Sequence, residues 1–458
     1  MNITIQRLWN SPTATAFLNR FAMPLRLLIL TPLVITKFSA DEIAIFYLLS
    51  STGVLLTVVN DRLIAVFSQM LAFAFGGAAD LSQIKIGESP RGDGEPNWEV
   101  FCKAFFTLKR MQLALGVPLC LIGGGILTVG IGRLLGWDLM SWKPWLIVIV
   151  TTIGHLFSVF VSRYTAGSMA IGKIASINLL ATKYIFLSLV FSSLVVLFTE
   201  SLVGLVICQN AFYFFQRLEI SRRAKSWLEP HIGSLGASFK CFDQAIFSAC
   251  WTPFWKSIVS VLSGQGVRAA IAVYVAGLAP YWGKDVVAAF LFTQSLAQNI
   301  LRIAQTPLTS VYPILSRLLS SGNLEKFNEM VRKRITQGSV IILGSFIFVI
   351  LLGPFVLDLI DSNVSLLPLQ AMIVYFSLYF VRALQSFYVT AFNVTNQVFL
   401  FLRNLLAAVL VIGLLFLCPE PLSLLLFIVA TNLVYILMIS FSPVSAYFRL
   451  VKNYEYRT

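Results

Sequence analysis

Ten basic side chains stand inside stretches that are otherwise apolar: Arg20, Arg26, Arg62, Arg163, Lys183, Lys256, Arg268, Arg302, Arg382 and Arg403. Asp61 is the one acid at similar depth, and Asp243 stands near the edge of such a stretch. Guanidinium groups are permanently charged donor forks that match phosphate or carboxylate oxygens two at a time. Cations gathered with so few acids select an anion. A cation at the centre of a membrane helix costs about 2.5–3.5 kcal/mol, so the set is expected to face a wet cavity rather than lipid. Arg163, Lys183, Lys256 and Arg403 have a second route, since each lies close enough to an end of its stretch to snorkel to the headgroups. The six candidate anion-binding residues are therefore Arg20, Arg26, Arg62, Arg268, Arg302 and Arg382, with Asp61 as a candidate charge partner.

No other chemistry stands out. The six cysteines are scattered without a C-x-x-C pair and read as small packing residues. His155 and His231 stand alone, without a metal-ligand partner at helical spacing. No Walker motif is present, and Gly123–Gly125 lies inside an apolar run, where packing or bending is the ordinary role. Neither a catalytic residue, a metal site nor a cofactor is expected. Drug-cation antiport would call for buried carboxylates near mid-membrane, which the sequence lacks.

The elements that must carry these residues follow from composition. Of 458 residues 58% are hydrophobic and 12% charged, with mean hydropathy +0.83, whereas soluble domains carry about 25% charged residues. Apolar runs long enough to cross about 30 Å of hydrocarbon as helices recur throughout. Val340–Leu352 and Leu405–Leu417 are apolar on every face, which excludes a membrane β-barrel. The expected fold class is all-α and polytopic. Twelve membrane helices are predicted, at 14–36, 43–66, 112–132, 144–166, 177–199, 201–217, 258–280, 286–312, 338–360, 366–391, 397–417 and 422–446. The stretch before the seventh, with Trp251, Trp255 and Lys256, reads as an interfacial lead-in. No cleavable signal is expected at the N-terminus. With both termini on one side, that side collects twenty Lys and Arg against Lys37, Arg133, Lys143 and Lys284 opposite. The bias makes it cytoplasmic. It also accounts for the net charge of +14 without nucleic acid, because the excess meets anionic lipid.

Two segments repeat in order. Asp41–Phe46 matches Asp285–Phe290, and Glu99–Phe101 matches Glu325–Phe327, with a polar insert around Lys85–Asn97 absorbing the change in offset. The expected organisation is a six-helix bundle over 1–225, a cytoplasmic linker over 226–245 and a second six-helix bundle over 246–458. Parallel halves of this kind suit a carrier that binds substrate between them. Pro24, Pro307, Pro313 and Pro354 are expected to mark bends.

The pattern resembles the oligosaccharide flippases of the multidrug/oligosaccharidyl-lipid/polysaccharide exporter superfamily, and more narrowly the O-antigen and exopolysaccharide translocases of bacterial inner membranes. Arg20-x5-Arg26 is similar to the arginine pair of the related lipid II flippase. Asp61-Arg62-Leu-Ile-Ala-Val-Phe-Ser-Gln69 resembles that relative's second helix, and Arg302-Ile-Ala-Gln-Thr-Pro307 leading to Pro313-Ile-Leu-Ser-Arg317 resembles its eighth. The resemblance carries a substrate-binding role to Arg20, Arg26, Arg62 and Arg302; Arg268 and Arg382 rest on depth alone. Twelve rather than fourteen spans, and the missing acids of the multidrug branch, point to the polysaccharide branch. The resemblance implies an undecaprenyl-diphosphate-linked oligosaccharide moved from the cytoplasmic to the periplasmic leaflet by alternating access. Membrane lipids, a polysaccharide polymerase and a chain-length regulator are the further partners. The alternative is a MATE-like or organic-anion exporter of small solutes. A glycan polymerase, the enzymatic reading, usually carries a large periplasmic loop, and none is predicted.

Overall fold

Backbone N–H and C=O groups in hydrocarbon find no water, so an apolar chain must satisfy them within its own helices. The computed structural model describes residues 12–78, 81, 95–137, 141–235, 243–309, 311, 315, 324–392, 401–417 and 423–439, and every regular element among them is helical. We number the long helices α1 (Pro12–Lys37), α2 (Ala40–Phe75), α3 (Trp98–Leu135), α4 (Trp142–Ala170), α5 (Ile174–Thr199) and α6 (Leu202–Leu235). They continue as α7 (Gln244–Ala276), α8 (Lys284–Thr309), α9 (Leu324–Leu359), α10 (Leu369–Phe392), α11 (Phe401–Leu417) and α12 (Leu424–Ile439). Each predicted apolar run overlaps one of these helices. Among the described residues eight, α2–α5 and α7–α10, are long and apolar enough to cross a membrane. The protein is a polytopic membrane protein.

Several ends differ from the sequence expectation, for one reason. Where an apolar run gives way to amphipathic sequence, the helix goes on. Helix α3 starts at Trp98, ahead of the predicted 112, with Phe101, Cys102, Phe105 and Leu108 buried at helical spacing. Residues 226–235 of the expected linker continue α6, and the lead-in with Trp251 and Trp255 is the first half of α7. The polar insert through residue 94, and Pro313, lie outside the described residues.

The chain divides into two compact units: Met1–Phe38 with Thr52–Ile258, and Ser39–Ser51 with Val259–Thr458. In the first, α1 packs on α5, α6 on α4 and α5, and α3 on α4. Gly123 and Gly124 are packing residues, since a Cβ would stand 2.8 Å from Leu56 Cδ2 and 2.7 Å from Thr152 Oγ1 respectively. Helices α5 and α6 join through Glu200, whose φ of 46° caps α5. Its carboxylate accepts from Lys37 Nζ at 2.8 Å, which ties α1 to the turn. Inside α3 a π-helical turn, Gln112–Gly116, places the Gln112 amide in a buried network. Gln112 Nε2 and Ser162 Oγ both donate to Asn60 Oδ1, at 3.2 and 2.6 Å. A buried polar group must find such partners.

In the second unit α8 packs on α9 and α10, and α12 on α10 and α11. Gly338 of α9 lets two backbones meet, because a Cβ there would stand 2.6 Å from the Ala304 carbonyl oxygen of α8. The first turns of α2 belong to this unit. Lys284 Nζ donates to Asp41 Oδ2 at 2.7 Å, and the Tyr47 and Phe292 rings lie 5.4 Å apart.

Candidate anion site

Helices α7, α8, α10 and α12 of the second unit line a narrow, partly open cavity of about 10 Å³, room for about one water. Arg268 lines it from α7 and Arg382 from α10, together with Gln294 of α8 and Asn432 of α12. Tyr375 and Tyr379 add aromatic walls; one helical turn apart on α10, they stack at 5.7 Å. Arg382 follows on the same face and lies 5.9 Å from the Tyr379 ring. Its Nη1 donates to Asn432 Oδ1 at 2.9 Å, while the Asn432 amide nitrogen is anchored on the Ile428 carbonyl. The guanidinium is thus aimed by its neighbours. No acid lines the cavity among the described residues.

Three polar atoms here are buried and without a hydrogen-bond partner among the described residues: Arg268 Nε, Gln294 Oε1 and Tyr379 Oη. Groups of this kind call for water or a ligand. Arg302 does not line the cavity. It stands on α8 with an exposed side chain, within electrostatic reach of Arg268 and Tyr379. Two like charges share this part of the unit, and an anion between or beside them would relieve their repulsion.

The first unit is arranged differently. Asp61 and Arg62 sit on α2, Thr57 hydrogen-bonds to the Asp61 carboxylate, and Arg217 of α6 completes the charge cluster. Arg217 Nη2 donates to Tyr213 Oη at 3.1 Å, Tyr213 Oη donates to Ser158 Oγ at 2.9 Å, and His155 meets the Tyr213 ring edge-on at 5.4 Å. Arg62 thus has the Asp61 charge beside it, although its own Nε is buried without a hydrogen-bond partner among the described residues, whereas no described acid lines the cavity of the second unit. Arg217 is the last residue of the predicted span 201–217; its place on the helix face above Tyr213 is readable from the four-residue spacing.

Of the remaining cations, Lys183 and Lys256 are exposed and Arg163 packs over Tyr164 at 4.8 Å. Arg20, Arg26 and Arg403 lie on α1 and α11, and their side chains lie outside the described residues. The structure thus brings Arg268 and Arg382 to one cavity with Arg302 beside it, and sets Arg62 against Asp61. Tyr375, Tyr379, Gln294 and Asn432 escape a sequence reading that searches for charge. Their signal is polar atoms inside apolar runs.

No protein-family model matches the chain, and no curated protein does. Solved structures do match. An inward-facing multidrug resistance MATE family transporter of the MOP superfamily aligns with TM-score 0.63 at 13% identity, over 95% of this chain and 98% of its own. A structure of the MATE multidrug transporter DinF-BH gives 0.60 at 14%, over 97% and 95%. An outward-facing MATE family transporter of the MOP superfamily gives 0.59 at 12%, over 99% of both chains. At these identities the likeness is one of fold, and it spans nearly the whole chain.

Proposed function

We propose that the chain is a MATE-like, alternating-access membrane carrier that exports an anionic organic solute, and that it is not an enzyme. The observation that carries the reading is the cavity of the second unit, with Arg268 and Arg382 in its wall, Arg302 near Arg268 and no acid among the described lining residues. The fold supports transport by alternating access, since solved structures of similar fold are described as inward-facing and outward-facing. On this reading the chain crosses a bacterial cytoplasmic membrane twelve times with both termini inside. The arginines hold the anionic group, the tyrosines take an apolar or ring portion, and Gln294 with Asn432 orient polar substituents.

Transport into everted vesicles tests it. A fluorescent organic anion is expected to accumulate in vesicles with the protein, with accumulation lost in Arg382→Gln; a cationic dye is expected to show no protein-dependent uptake. Uptake of the cation alone would overturn the anion assignment.

A second reading keeps the same site and changes the cargo to a lipid-linked oligosaccharide, whose diphosphate the arginines hold while sugars stack on the tyrosines. The pairing of two guanidinium groups with stacked Tyr375 and Tyr379 favours it. Cells lacking the protein would then lose surface glycan with unchanged dye export, and Arg302→Ala would fail to restore it.

A further inference from the structure

Helix α6 outlasts its apolar run and lies along one end of the first unit. Ile220, Ser221, Ala224, Leu228 and Ile232 are buried at i, i+4 spacing, while Arg222, Arg223 and Lys225 are exposed. The buried stripe has a built seat. A Cβ on Gly167 of α4 would stand 2.9 Å from Leu228 Cδ1 and 3.3 Å from Phe105 Cε2, and Ile220 packs with Ile177 and Leu180 of α5. Amphipathic helix is thereby fixed level with the turn at Ile171–Lys173, where the spans α4 and α5 meet.

From this turn down to the tenth residue of α5, cations are held over aromatic rings. Lys225 Nζ lies 5.6 Å from Tyr164, Lys173 Nζ 5.8 Å from Trp227 and Lys183 Nζ 5.5 Å from Tyr184. An aromatic face orients a cation without cancelling its charge. Glu219, the acid beside them, accepts from Tyr184 Oη and Arg223 Nη2, each at 2.6 Å, and makes no ion-pair contact with Lys183, although their charges act on each other. Below Lys183, α5 presents an apolar ladder on one face: Phe186, Val190, Leu194 and Leu197 are all exposed. A cationic, aromatic-girdled head above an exposed apolar stripe is the complement of an anionic amphiphile.

We infer that this face of α5 and α6 is a binding site for anionic phospholipids, the headgroup phosphate held at Lys183 with an acyl chain running down the α5 ladder, and Lys173 and Lys225 adding positive potential about 15 Å or less further toward the helix ends. A soluble phosphate would use the cations and leave the ladder idle, and an acidic protein segment would have no use for four apolar side chains at membrane depth. The inference is independent of the cargo proposed above, because the cavity arginines play no part in it.

Native mass spectrometry of the full-length protein in detergent, with chain-matched phosphatidylglycerol and phosphatidylethanolamine at equal concentration, tests the site. The wild-type protein is expected to retain phosphatidylglycerol in at least about tenfold preference. Lys183→Gln, an exposed change that leaves the helix intact, should cut that preference by about fivefold, and Lys173→Gln/Lys183→Gln/Lys225→Gln should bring it near parity. Arg133→Gln/Lys143→Gln, at the other ends of α3 and α4, should leave it unchanged. A wild-type ratio near one, or a ratio that Lys183→Gln does not alter, overturns the proposal. Displacement of the lipid by millimolar inorganic phosphate would equally overturn it, by showing that the ladder contributes nothing.

Discussion

Replacing Arg268 by Met separates a functional cation from a structural one, because the two roles predict opposite signs for stability. Arg268 lines the cavity, its Nε has no partner among the described residues, and Arg302 is the charge acting on it. Methionine removes a like-charge repulsion and a desolvation cost of up to about 2.5–3.5 kcal/mol. Part of that cost is already relieved by the solvent the cavity opens to, so the ligand-free protein should gain on the order of 1 kcal/mol and melt slightly higher. Anion binding should move the other way. A hydrogen bond to a charged group is worth about 1.5–3 kcal/mol, so affinity should fall by roughly ten- to a hundredfold. At a ligand concentration about a hundred times the wild-type Kd, the stabilisation of about 2.7 kcal/mol should shrink to about 0.9 kcal/mol for a thirtyfold loss. Thermal unfolding in detergent, with and without pyrophosphate, reads both terms in one experiment. A variant that melts lower than the wild type and keeps its full ligand shift would refute the reasoning, since the guanidinium would then be a prop for the fold.

Gly338→Ala should destabilise the second unit by about 1–3 kcal/mol, because the methyl group meets the Ala304 carbonyl; a melting temperature within error of the wild type would remove that close approach. Gln112→Leu should cost about 1–3 kcal/mol by leaving the buried Asn60 and Ser162 short of partners. Asn60→Leu/Gln112→Leu/Ser162→Ala should recover part of the loss, and thermal melts of the two proteins decide it. Glu219, beyond the apolar part of α6, is held below its ordinary 4.5 by the Tyr184 hydroxyl first and then by Arg223 and Lys183. A depressed folded value means stability present at neutral pH and lost as pH falls through that value. The melting-temperature gap between wild type and Glu219→Gln should therefore hold down to about pH 5.5 and close below about pH 4.5; a gap that widens in acid would reverse the assignment.

Helices are legible wherever hydrocarbon dictates them. Ile174–Thr199 starts and stops within a few residues of the predicted 177–199, because polar residues flank a run with apolar sequence on every face. Legibility fails where a second solvent takes over. From Trp98 to Met111 the chain is apolar on one face only, so a length-of-hydrocarbon criterion passes over a helix that packing supports. The same criterion ends the predicted span 201–217 at Arg217: the apolar run stops there, the helix does not, and Arg217 belongs with Tyr213 and Asp61. The first turns of α2 show the limit from the other direction. Asp41–Phe46 matches Asp285–Phe290 by sequence, yet nothing in that match says the segments touch, as Lys284 with Asp41 and Tyr47 with Phe292 do.

At the site, charge is readable and convergence is not. Depth in an apolar run singles out Arg268 and Arg382 as costly residues, but that they share one wall depends on how α7 and α10 pack. The same criterion gives Arg62 and Arg302 equal standing, although Arg62 has Asp61 beside it in the chain and tertiary structure brings Arg302 near another cation. That difference carries the functional argument. A charge with a counter-ion is already satisfied, and deleting it strands the partner at a cost. Two neighbouring charges of one sign are a standing expense to the fold, and such local violations persist where function holds them in place. The proposed function therefore places its anion beside Arg268, Arg382 and Arg302. Charge reversal should separate the two sets: Arg302→Glu pairs with Arg268, stabilising the ligand-free protein while abolishing anion transport, whereas Arg62→Glu sets a second carboxylate against Asp61 and should destabilise it. Equal melting shifts from the two reversals would erase the distinction between the clusters.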